Sequence, residues 1–210
     1  MNWNFIFDII ESISIIIAAI VAIIGINSWR KEAKWKRKYE LAEEVLGLFY
    51  EAKEVIQYVR FPGSYIGEGN SRNGTIYETT EEKEILDRAY ITIERLEKNK
   101  EVFNKLRTLK FRFLAIFHDE EKAKEPFERL DYIKKELTFA SNQLGNRYWN
   151  KNKIARIMRA PEQNREFEFQ QTEKFEKIIW EQSNGNDPIT AELIVMTCKI
   201  EDICRKILSK

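Results

Sequence analysis

The chain has 210 residues, a third of them charged, with a mean hydropathy of −0.49 and a net charge of +1. That is one ordinary domain plus a short extra element, made mostly for water, and the charge balance argues for no particular partner. Cys198 and Cys204, six apart on a predicted helix, sit on different parts of its surface and cannot bridge each other locally, so they are expected as free thiols in a reducing compartment, and the single His118 leaves no multi-histidine metal site.

The first predicted element is the exception to this polar composition. Phe5 to Ile26 is a run of 22 residues with only Asp8 and Glu11 as charges, both in its first two turns. As a helix it is about 33 Å long, close to the ~30 Å hydrocarbon core of a bilayer. Trp3 at one end and Trp29 and Trp35 at the other are rings that favour membrane interfaces. Residues 29–38 then carry Arg30, Lys31, Lys34, Lys36, Arg37 and Lys38 against Glu32. A secretory signal needs the opposite charge order and a small-residue cleavage site. The expectation is an uncleaved transmembrane anchor over 1–28, with the N-terminus outside and the bulk of the chain cytoplasmic. The cations should attract anionic lipid headgroups.

The span carries a second pattern. At about 100° per residue, Glu11, Ser14, Ala18, Ala22 and Gly25 fall within about 40° of one line, while Ile and Val fill the rest. Small residues on one stripe let helices approach closely, and a carboxylate there prefers protein to lipid. Self-association to a homo-oligomer is expected from this stripe.

Residues 29–60 read as a basic juxtamembrane segment running without a break into a long helix, with Leu41, Val45, Leu48, Ala52, Val55 and Val59 spaced 4-3-4-3-4. Packing inside a bundle is the simplest use for that stripe, and an intermolecular coiled coil is the rival. The helix should stop at "RFPGSYIGEGNSRNGTIYETT", where Pro62 and four glycines mark a loop over 61–80. Tyr65, Glu68, Arg72 and Tyr77 make that loop a candidate ligand or partner site.

Residues 81–210 complete the expected bundle. Thr79 with Glu82 forms a capping box that starts a helix on Leu86, Ala89, Ile93 and Leu96, with a break at Asn99-Lys100. Phe103, Leu106, Phe113 and Ile116 carry the pattern on. Asp119 caps a third helix with Pro126 near its first turn and Gly145 as its C-cap. A basic, irregular stretch follows, in which Arg147, Trp149, Lys151, Lys153, Arg156 and Arg159 make a candidate contact patch. The anchor points that patch towards headgroups or an acidic partner rather than nucleic acid. Residues 165–180 read as a helix with a weak strand signal at Phe167 and Phe169. Asp187-Pro188 opens the last helix, whose heptad runs Ile189, Leu193, Met196, Ile200, Ile203, Ile207. The predicted fold is all-α, a transmembrane helix continuing into a cytoplasmic bundle of four to six helices.

The sequence contains no HExxH, phosphate loop, GxSxG or Cys/His metal spacing, and His118 beside three acids reads as a solvated helix start. No catalytic residue, metal or cofactor is assigned. The runs "WRKEAKWKRKYELAEEVLGLFYEAKEVIQYVRFPGSYIGEG" and "DRAYITIERLEKNKEVFNKLRTLKFRF" resemble bacterial single-span membrane proteins, a group with no assigned activity. The resemblance implies a bacterial inner membrane and brings no site residues. The function expected is a membrane-anchored, self-associating helical interaction module with an unknown cytoplasmic protein partner. The alternative is an oligomeric effector or pore of a stress or antiphage response with Glu11 at the span interface, and a membrane-bound enzyme comes third.

Overall fold

A computed structural model of the chain has, among its described residues, six helices: α1 (Trp3–Val59), α2 (Thr80–Lys98), α3 (Lys100–Ile116), α4 (Glu120–Ile157), α5 (Glu162–Ile179) and α6 (Pro188–Leu208). The structure describes residues 3–117, 120–157, 162–182 and 187–209, with the backbone alone for 3–10, 120–121, 148–157 and 162–169. No strand occurs among the described residues. The expected all-α architecture is what forms.

One helix runs from the apolar segment into the bundle without interruption. α1 has 57 residues, about 85 Å of helix. Nothing in it stops a helix before Pro62: it has no internal proline, and a Cβ added at Gly25 or Gly47 would meet no neighbouring element within 4 Å. Every residue from Glu11 to Glu32 is exposed, whereas Leu41, Val45, Leu48, Ala52, Val55 and Val59 are all buried. That second stripe is spent within the chain, on a core shared with α3, α4 and α6. A helix with one apolar face buries that face, and one that is apolar all round must find a different solvent.

Polar contacts set the helix directions. Arg60 meets Asp187 at the top of α6, and Tyr50 meets Glu201 lower down, so α6 runs antiparallel to α1. Arg129 with Glu192 and Glu125 with Lys199 make α4 antiparallel to α6. Lys110 with Glu128, and Lys134 over the Phe103 ring, make α3 antiparallel to α4. The core therefore has two levels. The lower one holds α1, α3, α6 and the first half of α4, with the Phe127 ring in contact with those of Phe49 and Phe113. The upper one is smaller and joins Ala140 and Leu144 of α4 to Phe175 and Ile179 of α5.

Several local expectations hold. Thr79 and Glu82 form the reciprocal capping box, Asn99 separates α2 from α3, and Asp187 caps α6 with Pro188 at its start. The α6 heptad is core: Ile189, Leu193, Met196 and Ile200 are buried, with Ile203 packed against them. Others are corrected. Gly145 does not cap α4, which continues to Ile157, so residues 146–157 are helical rather than irregular, and residues 158–161 lie outside the described residues. Gly145 is buried against α2, where an added Cβ would lie 3.2 Å from the Ala89 Cβ, so this glycine permits a close helix crossing. Pro126 lies in the second turn of α4, near its first turn as expected. Phe167 and Phe169 lie in a helix, so the strand signal there is not realised. On α2 the buried line runs through Ala89, Ile91, Thr92, Arg95 and Leu96, and Ile93 is only half-buried. Asp119 and His118 lie outside the described residues.

Candidate functional site: the loop at the far end of the long helix

The loop over 61–79 follows the end of α1 and is held down by an arginine that no local pattern announces. Arg95, 1 % exposed, donates to the carbonyls of Tyr58 (3.2 Å), Phe61 (2.8 Å) and Gly63 (2.6 Å). These belong to the last turn of α1 and the chain leaving it, where carbonyls lack helical partners. The same guanidinium grips Glu68 through two bonds of 3.0 and 2.6 Å, and its carbon lies 5.0 Å from the centre of the Tyr58 ring. Glu68 also accepts from the Tyr65 N–H at 3.0 Å. The Arg95 bonds, outweighing partial burial, hold the Glu68 carboxyl down at about 2.

A second cluster fixes the other half of the loop. Arg72 donates to Asp87 (2.7 Å) and to both oxygens of Glu78, one of them at 3.0 Å. Glu78 in turn accepts from the Thr75 N–H. Hydrogen bonds from Arg72 hold its carboxyl down at about 2. Between the two clusters Gly69 donates to Glu94, which also pairs with Lys98. Gly69 has φ +87°, and a Cβ there would sit 2.0 Å from the Asp87 carbonyl oxygen, so only glycine fits.

The four loop residues proposed from sequence therefore separate into two kinds. Glu68 and Arg72 face α2 and are occupied by internal ion pairs. Tyr65 and Tyr77 face out, 70 % and 87 % exposed, and Ile66 and Ile76 beside them are also fully exposed. The outward surface of the loop is therefore aromatic and aliphatic, on a frame pinned by the paired charges.

Arg60 does for α5 and α6 what Arg95 does for α1. Also 1 % exposed, it donates to the carbonyls of Lys177 (3.1 Å), Ile178 (2.8 Å) and Trp180 (2.9 Å) at the end of α5. It also pairs with Asp187 at 2.7 Å, the residue that caps α6. Burial pushes the Asp187 carboxyl up, but Arg60 and the Thr190 and Gln182 N–H groups outweigh it and hold it below the usual range. Two buried arginines thus seal the level at which α1 ends.

The remaining candidates fall elsewhere. Trp29, Arg30, Lys31, Lys34, Trp35, Lys36 and Arg37 are exposed on α1 and Lys38 is half-buried; the side chain of Trp3 lies outside the described residues. Glu11, Ser14, Ala18, Ala22 and Gly25 are all exposed on one continuous helix. Of the basic patch, Arg147 is half-buried with its guanidinium 5.5 Å from the Phe175 ring centre. The side chains of Trp149, Lys151, Lys153, Arg156 and Arg159 lie outside the described residues. A groove of about 220 Å³ between α4 and α6 is lined by Pro126, Ala191, Val195 and Met196. It is smaller than the ~300 Å³ at which ligand pockets begin, and its charges are mutually paired as Arg129–Glu192 and Glu125–Lys199. Cys198 is exposed and Cys204 buried, with burial pushing the Cys204 thiol up to about 12.

Arg60, Arg95, Asp87 and Glu94 were not legible as a set. One signal was present: Asp87 and Glu94 are seven apart, on one face of α2, and both are buried. No protein-family model, curated protein or solved structure matches this chain. Function therefore rests on its own residues.

Proposed function

We propose that this chain is a membrane-anchored helical interaction module. In this reading α1 spans a bacterial inner membrane with its N-terminus outside, the bundle stands in the cytoplasm, and the outward surface of the 61–79 loop engages a protein partner. The supporting observation is the contrast along α1. Nine large aliphatic side chains between Ile13 and Ile26 are 51–63 % exposed, and none belongs to the bundle core. At about 1.5–3 kcal/mol per fully buried side chain, on the order of 10 kcal/mol would be forgone in water, as much as a whole domain's stability. The helix is long and apolar enough to cross a membrane. The exposed cations at its bundle-side end agree with a cytoplasmic bundle. The loop then stands up to about 45 Å from the bilayer along the helix, beyond reach of lipid, so its Tyr and Ile surface suits a protein.

The native thiols supply the test. An impermeant maleimide should label Cys198 only after cells are opened, and alkaline carbonate should leave the protein in the membrane. Labelling in intact cells would overturn the orientation, and carbonate release would overturn the span.

An oligomeric membrane effector is the second reading, favoured by the exposed line of Glu11, Ser14, Ala18, Ala22 and Gly25. Glu11→Leu should abolish any ion leak caused by the full chain while the protein stays inserted. Ala18→Leu with Ala22→Leu should remove cross-linked species, and their persistence would place the self-association elsewhere.

A further inference from the structure

The cations of the α1 neck are not spread evenly around the helix. At about 100° per residue, Arg30, Lys31, Lys34, Arg37 and Lys38 lie within about 60° of the line that, one to eight turns later, becomes the buried face from Leu41 to Val59. The acids lie on the other side. Glu32, Glu40, Glu43, Glu51 and Glu54 are all exposed and about 100° or more from that line, and the exposed Glu44 lies about 80° from it. Lys36 falls on the acidic side and pairs with Glu40 at 3.9 Å. The basic face therefore points beneath the bundle, into the space between its base and the membrane, and the acidic face points away from it. The antiparallel α6 ends above the same space with Arg205 and Lys206 exposed.

Upright, α1 cannot use all of this charge. Arg37 and Lys38 stand about 16–18 Å along the helix from Ile26, beyond a headgroup layer of about 5–7 Å and a Debye length of about 8 Å. A lean towards the basic face brings both into reach and lifts the acids away from an anionic surface. Spans tilt by about 20° on average, so such a lean is ordinary.

We infer that the basic face of the α1 neck, beneath the bundle, is a docking surface for the anionic headgroups of the bilayer that holds the span, so that α1 leans in one direction, towards its core-facing side. The occupant follows from charge complementarity and from continuity with the span, and the inference rests on the anchor reading above. Docking of this kind fixes which side of the bundle faces the membrane and which side faces neighbouring proteins.

The test uses the full chain in vesicles of phosphatidylcholine alone or mixed with phosphatidylglycerol, with acceptor-labelled headgroups. A donor on Cys198, on the α6 side, should show higher energy transfer in the anionic vesicles. A donor on E54C in a C198S background, on the outward side, should change little. Replacing Arg30, Lys31, Lys34, Arg37 and Lys38 together by Gln should abolish the rise at Cys198, with helix content unchanged by circular dichroism. Lys36→Gln should preserve it. Equal transfer in both lipid mixtures, an equal rise at both labels, or a rise that survives the five substitutions would overturn the lean while leaving the anchor standing. Release of the wild-type chain from vesicles by alkaline carbonate would instead overturn the anchor, and the lean with it.

Discussion

The two ends of α1 are chemically close and structurally opposite. Residues 13–26 and 41–59 are both rich in aliphatic side chains on the same unbroken helix. The first segment is exposed on every side; the second buries one face against α3, α4 and α6 and shows Glu43, Glu44, Glu51 and Glu54 to water. The amount of apolar surface does not separate them. Its angular width does: a stripe can be covered by neighbouring helices, but a full circumference needs a bilayer or a ring of partners.

The sharpest way to break this comparison is to attack the sealed end of the buried half. Arg95→Ala removes the partner of Glu68 and three carbonyl bonds, and should cost about 3–5 kcal/mol in urea unfolding of the full chain in mild detergent. Phe49→Ala should cost about the same through the cavity it leaves. Ile17→Ala, in the exposed half, should move the unfolding of the bundle by less than about 0.5 kcal/mol. Equal losses at Phe49 and Ile17 would mean the two halves share one core.

The next effect tests the anchor reading alone. Ile16→Lys with Ile20→Lys places two charges near the span centre, at about 2.5–3.5 kcal/mol each. Membrane recovery should collapse while the circular dichroism of the bundle is retained. A smaller loss is expected at Gly69→Ala, about 1–3 kcal/mol, because the backbone there is left-handed and a methyl meets the Asp87 carbonyl.

Acid should sharpen the contrast further. The Glu68 carboxyl is depressed to about 2 in the fold, against about 4.5 when free. Its contribution to stability is complete above the unfolded value and is lost as pH falls from about 4.5 through about 2. Unfolding of the full chain should weaken over that window, and Glu68→Gln should flatten the pH dependence at lower overall stability. An unchanged slope in Glu68→Gln would show that other carboxylates carry it. The smallest effect is expected on the outward loop surface: Tyr65→Ala with Tyr77→Ala should alter stability by less than about 0.5 kcal/mol, since neither ring is buried.

What could be read beforehand depended on local rules. The all-helical class, the unbroken α1, the Thr79–Glu82 box, the break at Asn99 and the Asp187-Pro188 start each follow from the chemistry of a few adjacent residues. The misreadings arose where tertiary contact overrode a local signal. Gly145 looked like a stop because glycine often ends a helix, but it is there so that α2 can approach α4. Ile93 looked like core by its spacing, but α2 is turned so that Arg95 and Thr92 face inwards.

By itself the sequence determined the apolar circumference of 13–26, the basic collar that follows and the helices of the bundle, because periodicity and capping act over a few residues. Only the tertiary structure decided what the loop charges do. Glu68 and Arg95 are 27 positions apart, and Arg60 and Asp187 are 127 apart. Nothing local pairs them. They meet because α1, α5 and α6 all begin or end at one level, where the unsatisfied carbonyls of two helix ends need buried donors.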